Sequence, residues 1–205
     1  MIEDQFVHRP FLVIAVVIVA LGAGVLYYAT QFPAEQAAPV AAQSFAPEVV
    51  QYPSFTMPDL DGVDRDFSEW DGRHRLLNFW ATWCAPCRRE IPLLKEFQAE
   101  QGEDGILVMG IAVDFAEDVA RYAETAKFNY PVLVGQEEAM AVAESSGVTF
   151  IAMPFTMIVA RDGELLGAYL GELHRPHLDH ISDILSRLDS GDIDTAQAKG
   201  AFDLL

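Results

Sequence analysis

The sequence predicts an α/β fold, a central mixed sheet flanked by helices, and three observations carry that reading. Apolar runs of strand length ("HRLLNFWA", "GILVMGIAVD", "YPVLVG") alternate with segments whose apolar residues recur at helical spacing ("CRREIPLLKEFQAEQ", "EDVARYAETAK"). Such alternation makes the first part of the sheet parallel. The third observation is chemical: Cys84 and Cys87, the only cysteines among 205 residues, stand where the first of these strands gives way to the first of these helices.

The elements follow in order. Residues 11–29 ("FLVIAVVIVALGAGVLYYA") carry no charge, and at 1.5 Å per residue a helix of that length spans roughly 28 Å, close to the hydrocarbon core of a bilayer. Tyr27 and Tyr28 fit an interfacial aromatic belt. A buried core helix and a cleaved signal peptide are the alternatives, but a signal peptide has a shorter apolar region, about 7 to 15 residues. A signal anchor is therefore favoured. Arg9 precedes the span and the next Lys or Arg is Arg65, so the positive-inside rule keeps the N-terminus in the cytoplasm and puts the rest where disulfides persist. The segment "QFPAEQAAPVAAQSFAPEVV" has no apolar period and reads as a tether.

A domain begins near Gln51. "SFTMPDLDGVDRDF" reads as a hairpin around Asp61-Gly62. After the strands and helices above come a helix in "EEAMAVAESSG", closed by Gly147, and two strands in "FTMIVARDGELLGAYLG", joined at Asp162-Gly163. An amphipathic helix follows in "PHLDHISDILSRL", with Pro176 in its first turn. The acidic stretch after Asp189 reads as a loose tail. The chain thus divides into a cytoplasmic N-terminus (1–9), a transmembrane signal anchor (10–30), a flexible linker (31–50), the α/β domain (51–189) and an acidic C-terminal tail (190–205). The formal net charge of -18 argues against a nucleic-acid partner, whose phosphates would be repelled.

At a strand-to-helix junction Cys84 meets unpaired backbone N–H groups and the positive end of the helix dipole. Both favour thiolate, which makes Cys84 the attacking sulfur. Cys87, three residues on, reaches the same side of the helix and is the resolving thiol. Pro86 fits the first turn. Trp80 and Trp83 would form an apolar rim on which an extended peptide could lie.

Other readings of the pair are weaker. A structural zinc site needs four ligands and there are no further cysteines. His174, His177 and His180 drift around a helix and suit capping or solvated roles better than metal binding. A thiol peroxidase calls for a different spacing, and Thr82 alone does not make that case.

"NFWATWCAPCRREIP", residues 78–92, resembles the active site of the thioredoxin superfamily, and together with the N-terminal anchor it resembles the TlpA/ResA-type branch. The resemblance covers residues 51–189 and includes the hairpin "FTMPDLDG" as that branch's N-terminal addition. It implies a thioredoxin-like fold and an extracytoplasmic thiol–disulfide oxidoreductase with no organic cofactor and no metal. It implies a single-pass protein of the bacterial inner membrane with its catalytic domain in the periplasm. Protein thiols and disulfides would be the partners, apocytochrome c or copper-site proteins among them, with a membrane electron donor. Glu90 matches the acidic residue that tunes thiol protonation in this branch; a solvated helix charge is the plain alternative. Pro154 matches the proline, usually cis, that faces the disulfide, and Met153 would offer its backbone to a bound peptide. Asn78 stands where thioredoxin has a buried aspartate, so a proton relay would run through Glu90 or water. The segment "GVTFIAMP" is about two residues longer than the branch's common pattern. A copper metallochaperone using the cysteine pair and a histidine is the alternative from a different class, since soft thiolates suit Cu(I). A redox-inert interaction domain on a tether is a third, and the retained cysteine pair counts against it.

Overall fold

A computed structural model describes residues 54–145 and 152–202. The expected signal anchor at 10–30, the linker at 31–50, and Gly147 with most of "GVTFIAMP" lie outside the described residues. Among the described residues no helix is long and apolar enough to cross a membrane.

The chain opens with a hairpin, β1 (Thr56–Pro58) against β2 (Asp64–Asp66), paired antiparallel with Met57 opposite Arg65. Its turn is built by Asp59, whose Oδ1 accepts from the Asp61 and Val63 N–H groups. A 3₁₀ turn, Phe67–Trp70, follows directly and is capped reciprocally by Asp66 and Glu69. Sequence reading did not anticipate this turn, which is too short for a period to register. It sets the Phe67 ring under the buried Arg75, whose guanidinium carbon lies 4.3 Å from the ring centroid.

Then come β3 (Arg75–Trp80), α1 (Ala85–Gln101), β4 (Leu107–Val113), α2 (Ala116–Ala126), β5 (Val132–Gly135), α3 (Glu137–Ser145), β6 (Phe155–Val159), β7 (Leu165–Leu170), α4 (Arg175–Ser190) and α5 (Thr195–Phe202). The sheet order is β5-β4-β3-β6-β7. β3, β4 and β5 run parallel, while β6 runs antiparallel to β3 and β7 antiparallel to β6. The mixed sheet with a parallel first part is the architecture that the element order predicts.

Every residue of β3 is buried, as expected for a central strand covered on both faces. Leu76 and Trp80 join one core with Ile91, Leu94 and Phe97 of α1 and Leu178 and Ile181 of α4. Leu77 and Phe79 join the other, with Met57 of the hairpin and Val142 of α3. This corrects one expectation. Trp80 does not line a rim: it is buried and packs on Tyr122 and Phe128, ring centroids 5.4 Å away in each case. Of the two tryptophans only Trp83 is exposed.

The loose acidic tail is also corrected. Residues 195–202 form α5, with Ala198 and Phe202 buried. A Cβ at Gly167 of β7 would meet the Cβ of Phe202 at 2.6 Å, so glycine there is what lets the helix lie on the strand. Lys199 pairs with Glu164. The folded unit thus runs past Asp189, which itself ties to His74 and Arg161.

Candidate active site

Parallel β3 and β4 end at the same edge of the sheet, and antiparallel β6 begins there, with Phe79 opposite Phe155. The carboxyl end of β3 therefore brings Cys84 to the start of β6, where the Met153–Pro154 bond is cis. Met153 is half-buried and Pro154 buried. The Pro154 carbonyl accepts from Gly171 N–H at 2.9 Å, closing the far end of β7 onto this edge.

Cys84 is the N-cap of α1. It is joined to Cys87 by a disulfide, S–S 2.01 Å. Pro86 lies in the first turn, half-buried, where its missing N–H costs nothing. The Cys87 N–H donates to Cys84 Sγ at 3.3 Å, so this sulfur takes the place of a capping oxygen. Cys84 is 6% exposed and Cys87 fully buried. The outer sulfur is the one at the helix terminus, as the spacing predicts.

Glu90 lies one turn beyond Cys87 on the buried face of α1 and is 1% exposed. It is not a solvated helix charge. Its Oε1 accepts from Asn78 Nδ2 at 2.8 Å and its Oε2 from Leu173 N–H at 2.6 Å. Asn78 Nδ2 also donates to Thr156 Oγ1 at 3.0 Å. Burial pushes the Glu90 carboxyl up to about 7; the two hydrogen bonds pull the other way, and nearby Glu172 adds to the rise. Glu172 is in turn paired with Arg89. Consecutive residues of α1, Arg89 and Glu90, thus hold consecutive residues of the β7–α4 loop, Glu172 and Leu173.

Asp114, at the end of β4, is buried as well. Its Oδ2 accepts from the Thr82 N–H at 2.8 Å and the Thr82 hydroxyl at 2.5 Å, and its Oδ1 from the Phe115 N–H at 2.8 Å. Sequence reading singles out neither Asp114, Thr156 nor Leu173. The signal that could have found Asp114 is its place at the carboxyl end of a buried parallel strand, where α/β sites collect. Thr156 and Leu173 are 78 and 83 residues from their partners and leave no local signal.

The histidines of α4 do not gather. His174 is the N-cap, and its N–H donates to His177 Nδ1 at 3.1 Å. Among the described residues no three His, Cys, Asp or Glu side chains come together as a metal site.

A model of the AhpC/TSA family matches residues 50–167. The chain is 27% identical over 134 residues to the thiol-disulfide oxidoreductase ResA of Geobacillus kaustophilus, covering 64% of this chain and 75% of that one. It is 25% identical over 174 residues to ResA of Halalkalibacterium halodurans, covering 84% and 91%. Among solved structures it resembles a thiol:disulfide interchange protein of the thioredoxin family from Chlorobium tepidum. That match has a TM-score of 0.60 and 28% identity, and covers 66% of this chain and 94% of the other. A disulfide whose outer sulfur caps a helix at the carboxyl edge of a five-stranded thioredoxin-like sheet agrees with all three, and the chain belongs to the AhpC/TSA family as a ResA-like thiol–disulfide oxidoreductase of the thioredoxin superfamily.

Proposed function

We propose that this protein is a membrane-tethered extracytoplasmic reductase of disulfides in partner proteins. The observation that carries the reading is the placement of the pair: Cys84 at the N-cap, with a helix N–H on its sulfur, and Cys87 buried behind it. In the reduced protein that N–H and the helix dipole stabilise the Cys84 thiolate. The thiolate attacks one sulfur of the partner's disulfide and forms a mixed disulfide, and the partner's other sulfur leaves as a thiolate. The Cys87 thiolate then attacks Cys84, restoring the bond seen here and releasing the second partner thiol. Two electrons pass to the partner in each cycle. A membrane donor of reducing equivalents recharges the pair, because the chain has no second cysteine pair.

Cys84, Cys87 and Glu90 are the groups we assign to the chemistry, and Trp83, Pro86, Met153 and Pro154 to the binding of the partner's peptide. The tether rests on the uncharged stretch at 11–29, and the periplasmic side of a bacterial inner membrane on the charge rule. Relatives carry the name thiol-disulfide oxidoreductase ResA. Partners on the route to cytochrome c or to copper-site assembly fit this reading.

The test is to trap partners in cells with Cys87→Ser, which leaves the mixed disulfide on Cys84 unresolved. Defined proteins should be recovered by reducing the adducts, from the membrane fraction of cells carrying the full chain. Equal adducts on Cys84→Ser with Cys87 intact would reverse the assignment of roles. Recovery of the full chain in the soluble fraction would remove the tether.

A further inference from the structure

Asn78 lies on β3, the central strand that leads to Cys84, and is 1% exposed. The β3–β6 register sets it opposite Thr156, itself fully buried and two residues beyond Pro154. Its amide nitrogen donates to Glu90 Oε1 at 2.8 Å and to Thr156 Oγ1 at 3.0 Å, which occupies both hydrogens. Its Oδ1 is buried and finds no hydrogen-bond partner among the described residues. A buried polar atom left unpaired is destabilising, so this orientation calls for a reason. A half-turn of the amide would bring Oδ1 to Glu90 and to the Thr156 hydroxyl, which can donate as well as accept. That orientation suits a carboxylic acid, whose O–H needs an acceptor. The orientation found suits a carboxylate, which only accepts. The second carboxyl oxygen of Glu90 is held in the same way, by the Leu173 N–H at 2.6 Å.

We propose that Asn78, anchored by Thr156, is a positioning residue that holds Glu90 in the geometry of a carboxylate one helical turn from Cys87. This role rests on the reductase reading above, in which Glu90 belongs to the chemistry, and deepens it by naming what keeps a buried acid able to give up its proton. Burial alone favours the protonated form, and hydrogen bonds from a neutral donor oppose it without adding a charge. An aspartate at this position would set a second carboxyl against Glu90, and the two would hold one proton between them. The other groups around Glu90 leave the task to the amide. On the buried face of α1 the ionisable neighbour is Cys87, here in the disulfide. The β7–α4 loop supplies the Leu173 N–H and also Glu172, which favours the protonated acid and is paired with Arg89. The loop before β5 supplies the Tyr130 phenol, which its own burial and then the Glu90 charge keep protonated. Thr156 fixes the direction of the amide. Without its oxygen the second N–H would be unpaired and the amide free to turn away from Glu90.

The experiment uses the full-length chain in detergent, oxidised, with its glutamates isotopically labelled at the side-chain carboxyl carbon. The Glu90 resonance is the one missing from Glu90→Gln, and carbon NMR follows it against pH. In wild type its midpoint should lie at about 7. Asn78→Val fills the site without a donor and should raise the midpoint by about one unit or more, the effect of losing one hydrogen bond to a charged group. Thr156→Val should raise it by less, while Thr156→Ser, which keeps the hydroxyl, should hold the wild-type midpoint. Thr156→Val alone decides if Asn78→Val does not accumulate. The reduced proteins give a second reading. Thr156→Val should move the pH profile of alkylation to lower pH in the wild-type background and leave it unmoved in the Glu90→Gln background, because the effect passes through the carboxyl. A midpoint left in place by either Val variant, a Thr156→Ser shift as large as that of Thr156→Val, or a profile shift that persists in Glu90→Gln overturns the assignment. If reduced wild type releases no nitrothiobenzoate from the symmetrical disulfide reagent, the reductase reading fails, while the midpoints still decide what Asn78 does.

Discussion

At Glu90 burial lifts the carboxyl to about 7 from an ordinary value near 4.5, against the pull of Asn78 and the Leu173 N–H. The folded protein therefore holds a proton there that the unfolded chain has lost between about pH 4.5 and 7. Stability contributed by this group is full below about pH 4.5 and is lost as pH rises through that window, up to about 3 kcal/mol. Glu90→Gln should flatten that dependence, so its stability relative to wild type improves from pH 4.5 to 8. Urea unfolding of both proteins across the range reads this directly; parallel curves would show that the carboxyl does not titrate there. The same residue should act on the thiols. A carboxylate near a dithiol disfavours thiolate, and the groups titrate together. In the reduced protein, Glu90→Gln should move the pH profile of alkylation to lower pH, while superimposable profiles would leave Glu90 a structural role alone. Cys84 should alkylate before Cys87, with an apparent pKa below the free value of about 8.5. Equal rates at both sulfurs would contradict the N-cap geometry.

Among the elements, α5 makes the least expected contribution. It lies on the outer strand β7 through Phe202 over Gly167, with Ala198 buried beside it. Phe202→Ala removes a ring that is 3% exposed and should cost about 3 to 5 kcal/mol. Calorimetry or chemical denaturation measures that loss; a change under about 1 kcal/mol would mean that the helix adds little. On α1, two jobs share one helix. Its first turn caps and carries the disulfide, while Ile91, Leu94 and Phe97 anchor it to the sheet. The apolar spacing of those residues is visible in sequence because helix geometry repeats it locally. The placement of Trp80 is not. A strand buried on one face and a strand buried on both faces share the same local pattern at their ends, and only the cover supplied by α2 and the Phe128–Tyr130 loop decides which it is.

The described residues contain two cores, one on each face of the sheet, and both are closed by residues from 57 onward. A chain lacking residues 1–49 should therefore stay folded and keep reacting with disulfides in solution. Retained helical and near-ultraviolet circular dichroism, together with release of nitrothiobenzoate, would show it; a molten product would mean that the N-terminal segment completes the fold.

What the sequence determined alone was whatever is written locally. The hairpin turn at Asp61-Gly62, the alternation that makes a partly parallel sheet, and the Cys84–Cys87 pair at a strand-to-helix junction all follow from backbone preference and apolar period over a few residues. Glu90 was reachable as a candidate because it matches the acidic residue that follows the second cysteine in the branch the motif resembles. Its environment was not, because burial and the donors Asn78 and Leu173 come from 12 residues upstream and 83 downstream. Asp114 meets Thr82 across 32 residues, and Phe202 meets Gly167 from the other end of the domain. These contacts depend on which strands become neighbours. That choice is made by the packing of the whole sheet, so only the tertiary structure turned an ordinary aspartate into the buried acceptor that ties Thr82 to the end of β4 and an acidic tail into a helix.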